Sequence, residues 1–166
     1  FLTDQELREN IAETIETIKD IAAENVQIFF TVSPVRHTKD GMVENQLSKA
    51  KIITAIHYVL PNYSQCQYLP VYEIMMDDLR DYRFYKEDMI HPNAQAVQYI
   101  WEKFGNSFFT DDTKIFINEN NKIKQALSHK STDEESPKHK EFLDKLKSKI
   151  IEQQQKVKHK IFAEFN

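Results

Sequence analysis

The string Glu87-Asp88-Met89-Ile90-His91-Pro92-Asn93 sets a carboxylate and an imidazole three residues apart, just before a helical pattern. In a tight turn, that spacing lets both side chains face one cleft. Asp88 would fix the tautomer of His91 and stabilise its protonated form, leaving the other ring nitrogen as a general base. A plainer reading makes Asp88 a turn residue and His91 a surface residue at a helix start. A second polar loop, Ser33-Pro34-Val35-Arg36-His37, follows an apolar run. Ser33 lacks a GxSxG surround and precedes Pro34, so it makes a poor nucleophile elbow. His37, His57, His91, His129, His139 and His159 are dispersed and form no HExxH, so no metal site is expected. Tyr82, Phe84 and Tyr85 flank Arg80 and Arg83 and read as core and cleft-wall residues, with a substrate platform as the alternative.

These loops must be held by regular elements. Thr3 or Asp4 can cap a helix carrying Leu7, Ile11, Ile15, Ile18 and Ala22 at spacings of three and four, with Glu6 completing a capping box. The run Val26–Val32 is β-branched and aromatic and reads as a buried strand ended by Ser33-Pro34. A second helix is predicted from about Leu47 to Leu60, with Leu47, Ala50, Ile53, Ile56 (or His57) and Leu60 on one face. A second strand is predicted within Tyr68–Met75, parallel to the first and interrupted by Pro70. A third helix, about Asn93 to Phe104, would bury Ala94, Val97, Ile100, Trp101 and Phe104. The alternation is that of an α/β fold, in which ligands bind in loops at the carboxyl ends of parallel strands. Both polar loops occupy that kind of position.

Composition closes other routes. Of 166 residues only Gly41 and Gly105 are glycine, so neither GxGxxG nor a P-loop can be written. Cys66 stands alone, which excludes an internal disulfide framework and a cysteine zinc cluster. No apolar run approaches the roughly 18 to 20 residues of a membrane span. Residues 1–112 carry 18 acids and 10 bases, whereas residues 113–166 carry 8 acids and 12 lysines. Those lysines alternate with acids and no arginine accompanies them, so a solvated helix face is expected and no nucleic-acid partner. Three segments follow: an α/β domain at 1–112, an irregular polar connector at 113–136, and a long amphipathic helix at 137–166 opened by Pro137. The chain starts at Phe1, not Met, and is read as a piece of something longer. A cytoplasmic location is the working expectation.

A set of strings in order resembles a known family. Thr31-Val32-Ser33-Pro34-Val35-Arg36-His37, Asn45, Ser48-Lys49-Ala50, Tyr72-Glu73, Asp78-Leu79-Arg80-Asp81-Tyr82-Arg83-Phe84-Tyr85 and Asp88-Met89-Ile90-His91-Pro92-Asn93 are similar to the C-terminal half of the bacterial GSCFA family. The likeness runs over about residues 1–112, and more loosely reaches Ala126–Lys130 and His139–Leu143. That family resembles SGNH/GDSL hydrolases, so the resemblance implies a flavodoxin-like three-layer α/β/α fold, here partial and followed by a helical extension.

By position, the resemblance makes Asp88 and His91 the acid and base of a Ser-His-Asp set acting on an ester or acyl carbonyl. It places Ser33, Arg36 and His37 in a substrate or oxyanion loop, where SGNH enzymes supply an Asn donor that this chain lacks. The Gly-Ser-Cys-Phe-Ala segment that carries the family's nucleophile appears nowhere in the 166 residues, and the helper glycine is also missing. The implied activity is that of a serine esterase, acyl hydrolase or acyltransferase on a small-molecule or carbohydrate ester. No cofactor is expected, and the chain alone is expected to be inactive. The alternative is a non-catalytic interaction module whose C-terminal helix contacts a protein partner.

Overall fold

The computed structural model describes residues 2–22, 24–128 and 136–162. They fall into two compact units, residues 1–104 and 105–166. The described residues are mostly helical, with a two-stranded parallel sheet.

In the first unit, helix α1 (Asp4–Ile21) starts at the predicted capping box. Thr3 Oγ1 accepts from the Glu6 N–H, and Glu6 Oε2 accepts from the Thr3 N–H at 2.7 Å. Its inward stripe centres on Ile15, which is wholly buried. Strand β1 (Ile28–Phe30) pairs parallel with β2 (Cys66–Tyr68), Ile28 opposite Cys66 and Phe30 opposite Tyr68. Strand alternation sends Ile28 and Phe30 into the cluster formed by Ile15, Val59 and Cys66. Phe29 meets the Phe104 ring edge-on, with centroids 5.8 Å apart. Parallel strands need a crossover, and α2 (Met42–Val59) supplies it. Gly41 begins α2 at φ 107°, a conformation that residues with a Cβ rarely adopt.

The second strand lies earlier than the expected Tyr68–Met75. Pro70 cannot donate to a ladder and ends the extended chain. Beyond it Tyr72, Met75, Met76 and Leu79 recur at three, four and seven residues, a helical spacing. Accordingly α3 (Val71–Glu73) runs into a π-turn (Ile74–Asp78), with Tyr72, Met75 and Leu79 buried. Helix α4 (Ala94–Phe108) is also rotated from the expected face. Ala96 is the residue wholly buried, whereas Val97 is 57% and Trp101 46% exposed. In α2 the expected Ile56 is buried, but Leu47 and Ala50 face solvent while Ala55 and Val59 are buried in their place.

In the second unit, the expected irregular connector is largely a helix, α5 (Asp111–Ser128). Thr110 caps it, Oγ1 accepting from the Thr113 N–H at 3.2 Å, and Asp111 and Asp112 suit its positive first turn. Helix α6 (Pro137–Gln155) opens at Pro137 as predicted, Ser136 capping it through the His139 N–H. Its stripe Leu146 and Ile150 buries against Ile123 of α5. α6 is shorter than expected because Gln154 stops the chain there: its side chain donates to the carbonyls of Val157 and His159 and accepts from the Ile161 N–H. Residues 129–135 of the expected connector and 163–166 of the expected helix lie outside the described residues. No described helix is long and apolar enough to cross a membrane.

Candidate active site

The Asp88–His91 loop is built as a small closed turn. Asn93 anchors its exit: Oδ1 accepts from the Ala96 N–H at 3.1 Å, capping α4. The same side chain donates to the Arg83 carbonyl at 2.6 Å, fixing the loop to the 3-10 turn Tyr82–Phe84. Tyr85 and Pro92 form an isolated antiparallel bridge, flanked by Lys86 N–H to His91 carbonyl at 2.8 Å and Asn93 N–H to Phe84 carbonyl at 2.8 Å. Met89 at the tip has φ 58°, the left-handed region. This reversal brings residue 91 back over residue 88.

The result is the pair expected from spacing. Asp88 Oδ2 lies 2.7 Å from His91 Nδ1. Its other oxygen accepts from the backbone N–H groups of Ile90 at 2.8 Å and His91 at 3.0 Å. Those backbone bonds, that of His91 first, and then the imidazole contact hold the Asp88 carboxyl down at about 2. Asp88 is therefore ionised at neutral pH and can only accept, so the proton between the two belongs to His91 Nδ1. Nε2 meets no partner among the described residues and remains available as an acceptor. Both side chains are about half exposed, 51% for His91 and 42% for Asp88.

The loop after β1 reaches this turn through Arg36. Its backbone N–H donates to the Ile90 carbonyl at 3.3 Å and its Nη1 to the Met89 carbonyl at 3.0 Å. The guanidinium lies over the rings of Tyr85 at 4.3 Å and Tyr82 at 5.4 Å. Arg36, Arg80, Met75, Met76, Tyr82 and Tyr85 border a cleft of about 220 Å³. Of the three aromatic residues, Phe84 and Tyr85 are buried and Tyr82 is 64% exposed, standing at that cleft.

Ser33 and His37 are not drawn to the pair. Ser33 Oγ accepts from the Val35 N–H at 3.2 Å, and the Ser33 carbonyl accepts from Lys49 Nζ at 2.6 Å. Burial pushes the Lys49 ammonium below its ordinary value. The His37 N–H donates to Oδ1 of the buried Asn45 at 2.7 Å. The N–H groups of Val35, Arg36 and His37 are thus all engaged, and none is a free donor to an oxyanion. The His37 ring turns instead to Asp40, with Nε2 2.8 Å from Oδ2. Two positioning residues, Asn45 and Asp40, carried no role in the sequence reading. The mirrored string His37-Thr38-Lys39-Asp40 was the available signal for the second.

Among the described residues no three His, Cys, Asp or Glu side chains converge as metal ligands. The GSCFA family model matches residues 1–104, the unit that contains the pair. No curated protein and no solved structure matches the chain.

Proposed function

This chain belongs to the GSCFA family, and on that premise we propose that it supplies the acid–base half of a serine acyl-hydrolase or acyltransferase site of the SGNH type. The observation that carries the reading is the Asp88–His91 bond of 2.7 Å to Nδ1, made by a carboxylate already anchored on two backbone N–H groups. A base oriented this way takes a serine proton at Nε2 and returns it to the leaving alcohol, while Asp88 stabilises the imidazolium between the two steps. The nucleophilic serine comes from a Gly-Ser-Cys-Phe-Ala-like segment outside these 166 residues, so the chain alone is inactive.

The parent fold in this reading is a flavodoxin-like three-layer α/β/α domain. In its favour, the parallel strands are joined by a helical crossover, and Phe29 faces Phe104 while Ile28 and Phe30 face the Ile15 cluster. The cleft beside Arg36, Arg80 and Tyr82 receives the substrate, a small-molecule or carbohydrate ester; the exposed Tyr82 ring suits the face of a sugar or acyl chain. The interaction-module alternative loses ground because Leu146 and Ile150, the centre of the α6 stripe, already pack against Ile123 of α5, which leaves Leu143 as an exposed member.

The test uses the full-length protein, with the sequence upstream of Phe1 included. A 4-nitrophenyl ester should be hydrolysed and a fluorophosphonate should label one serine, both lost in His91→Ala. An intact full-length protein that neither turns over esters nor takes the label would remove the hydrolase reading.

A further inference from the structure

We propose that Arg36 is a positioning residue for the acid–base turn: its backbone N–H and guanidinium together hold Met89 and Ile90 in the conformation that sets Asp88 against His91. The inference rests on the reading of Asp88 and His91 as the acid–base pair, but its geometry stands apart from any activity.

Four observations converge on this residue. Arg36 delivers its N–H to the Ile90 carbonyl at 3.3 Å and its Nη1 to the Met89 carbonyl at 3.0 Å, two successive carbonyls at the tip of the turn. Met89, the residue between Asp88 and Ile90, is held at φ 58° although it carries a Cβ. Left-handed backbone is unfavourable for such a residue and persists only where the surroundings impose it. Met89 is 49% exposed, so packing of its own side chain is a weak source of that constraint. The guanidinium plane is fixed in turn by the rings of Tyr85 at 4.3 Å and Tyr82 at 5.4 Å.

The consequence for the pair is direct. Asp88 Oδ1 is held by the N–H groups of Ile90 and His91, and both depend on the backbone direction that Met89 sets. If Met89 relaxes to the right-handed or extended region, those two N–H groups swing off the carboxylate and His91 Nδ1 loses its register. Arg36 reaches the turn from 53 residues away in sequence, and so ties it to the loop that follows β1. A lysine would keep the charge but lack the planar fork that both stacks and donates.

The chain as it stands suffices for the test. A ¹³C carboxyl titration should place the Asp88 midpoint at about 2. In Arg36→Lys it should climb toward the ordinary value of 3.8, with the Ile90 and His91 amides shifting and exchanging faster while the Ile15 methyl signals stay in place. Arg36→Lys/Met89→Gly should return toward the wild-type midpoint, because glycine adopts the left-handed turn without constraint. A wild-type titration and unchanged amides in Arg36→Lys would overturn the proposal. Should Arg36→Lys unfold the unit, the double variant decides: refolding with a low Asp88 midpoint supports the clamp, and failure to refold overturns it. Failure of the catalytic reading looks different. It is an inert full-length protein whose Asp88 midpoint still depends on Arg36.

Discussion

Residues 1–104 contain two imidazole–carboxylate pairs of equal spacing and opposite order, His37–Asp40 and Asp88–His91. Their contact distances barely differ, 2.8 Å against 2.7 Å. Their surroundings differ in kind. Asp88 is anchored by two backbone N–H groups before it meets the ring, whereas Asp40 meets only His37 among the described residues. Asp88 engages Nδ1 and leaves Nε2, the nitrogen at the far end of the ring; Asp40 engages Nε2 itself. The Asp88 turn is further braced by Arg36 and Asn93, and the His37 ring has no comparable brace among the described residues. Three-residue spacing therefore makes a pair, but the anchoring of the carboxylate decides whether the pair holds one tautomer and one direction.

The largest contrast is expected in rate. In the full-length protein, His91→Ala should lower ester turnover by roughly 10³-fold or more, the scale of losing a triad base. His37→Ala should stay close to wild type under the same steady-state assay. The reverse outcome, with folding intact, would move the base to the Ser33–His37 loop. The carboxylates sharpen the same comparison. Asp88→Asn preserves shape but disturbs the tautomer, and a loss of roughly 10²- to 10⁴-fold in kcat is expected. Asp40→Asn should change kcat little.

The pair itself was legible from Asp88, His91 and the helical pattern that follows, because a turn brings together residues three apart whatever the rest of the chain does. What surrounds it was not. Arg36 arrives from a distant loop, and no local pattern says that its guanidinium captures the Met89 carbonyl. The Asp40 partner was open to view in the spacing His37-x-x-Asp40, where the structure sets the two side chains together. Among the elements, α1 and both strand directions followed from periodicity and from the order of helix and strand. The 71–78 segment did not, because a run of Val, Tyr, Ile and Met suits either period; the Tyr72, Met75, Leu79 spacing and Pro70 decided it. Helix α5 was hidden because Thr113 and Asn120 interrupt the apolar stripe of Phe116, Ile117, Ile123 and Leu127.

A smaller effect is expected in stability. Asn93→Ala removes the α4 cap and the bond to the Arg83 carbonyl, a cost of about 1–2 kcal/mol by urea denaturation. The same change should loosen the Asp88 turn, seen as faster amide exchange at Ile90 and His91 with the His37 amide unaffected. The smallest effect is in acid. The folded Asp88 carboxyl sits at about 2, below its ordinary 3.8. Its contribution is thus complete above the ordinary value and is lost as pH falls from near 3.8 to about 2. Asp88→Asn should flatten that part of the acid unfolding curve measured by circular dichroism, and Asp40→Asn should leave it in place.

The most direct measurement is the tautomer of each imidazole, read from long-range ¹H–¹⁵N correlations of the chain at a pH where the rings are neutral. The anchored carboxylate predicts that His91 carries its proton on Nδ1, with Nε2 bare, whereas His37, beside the unanchored Asp40, is expected to show no such single tautomer imposed by its carboxylate. Finding the His91 proton on Nε2, or a mixture that Asp88→Asn does not alter, would contradict the claim that Asp88 holds His91 as a base.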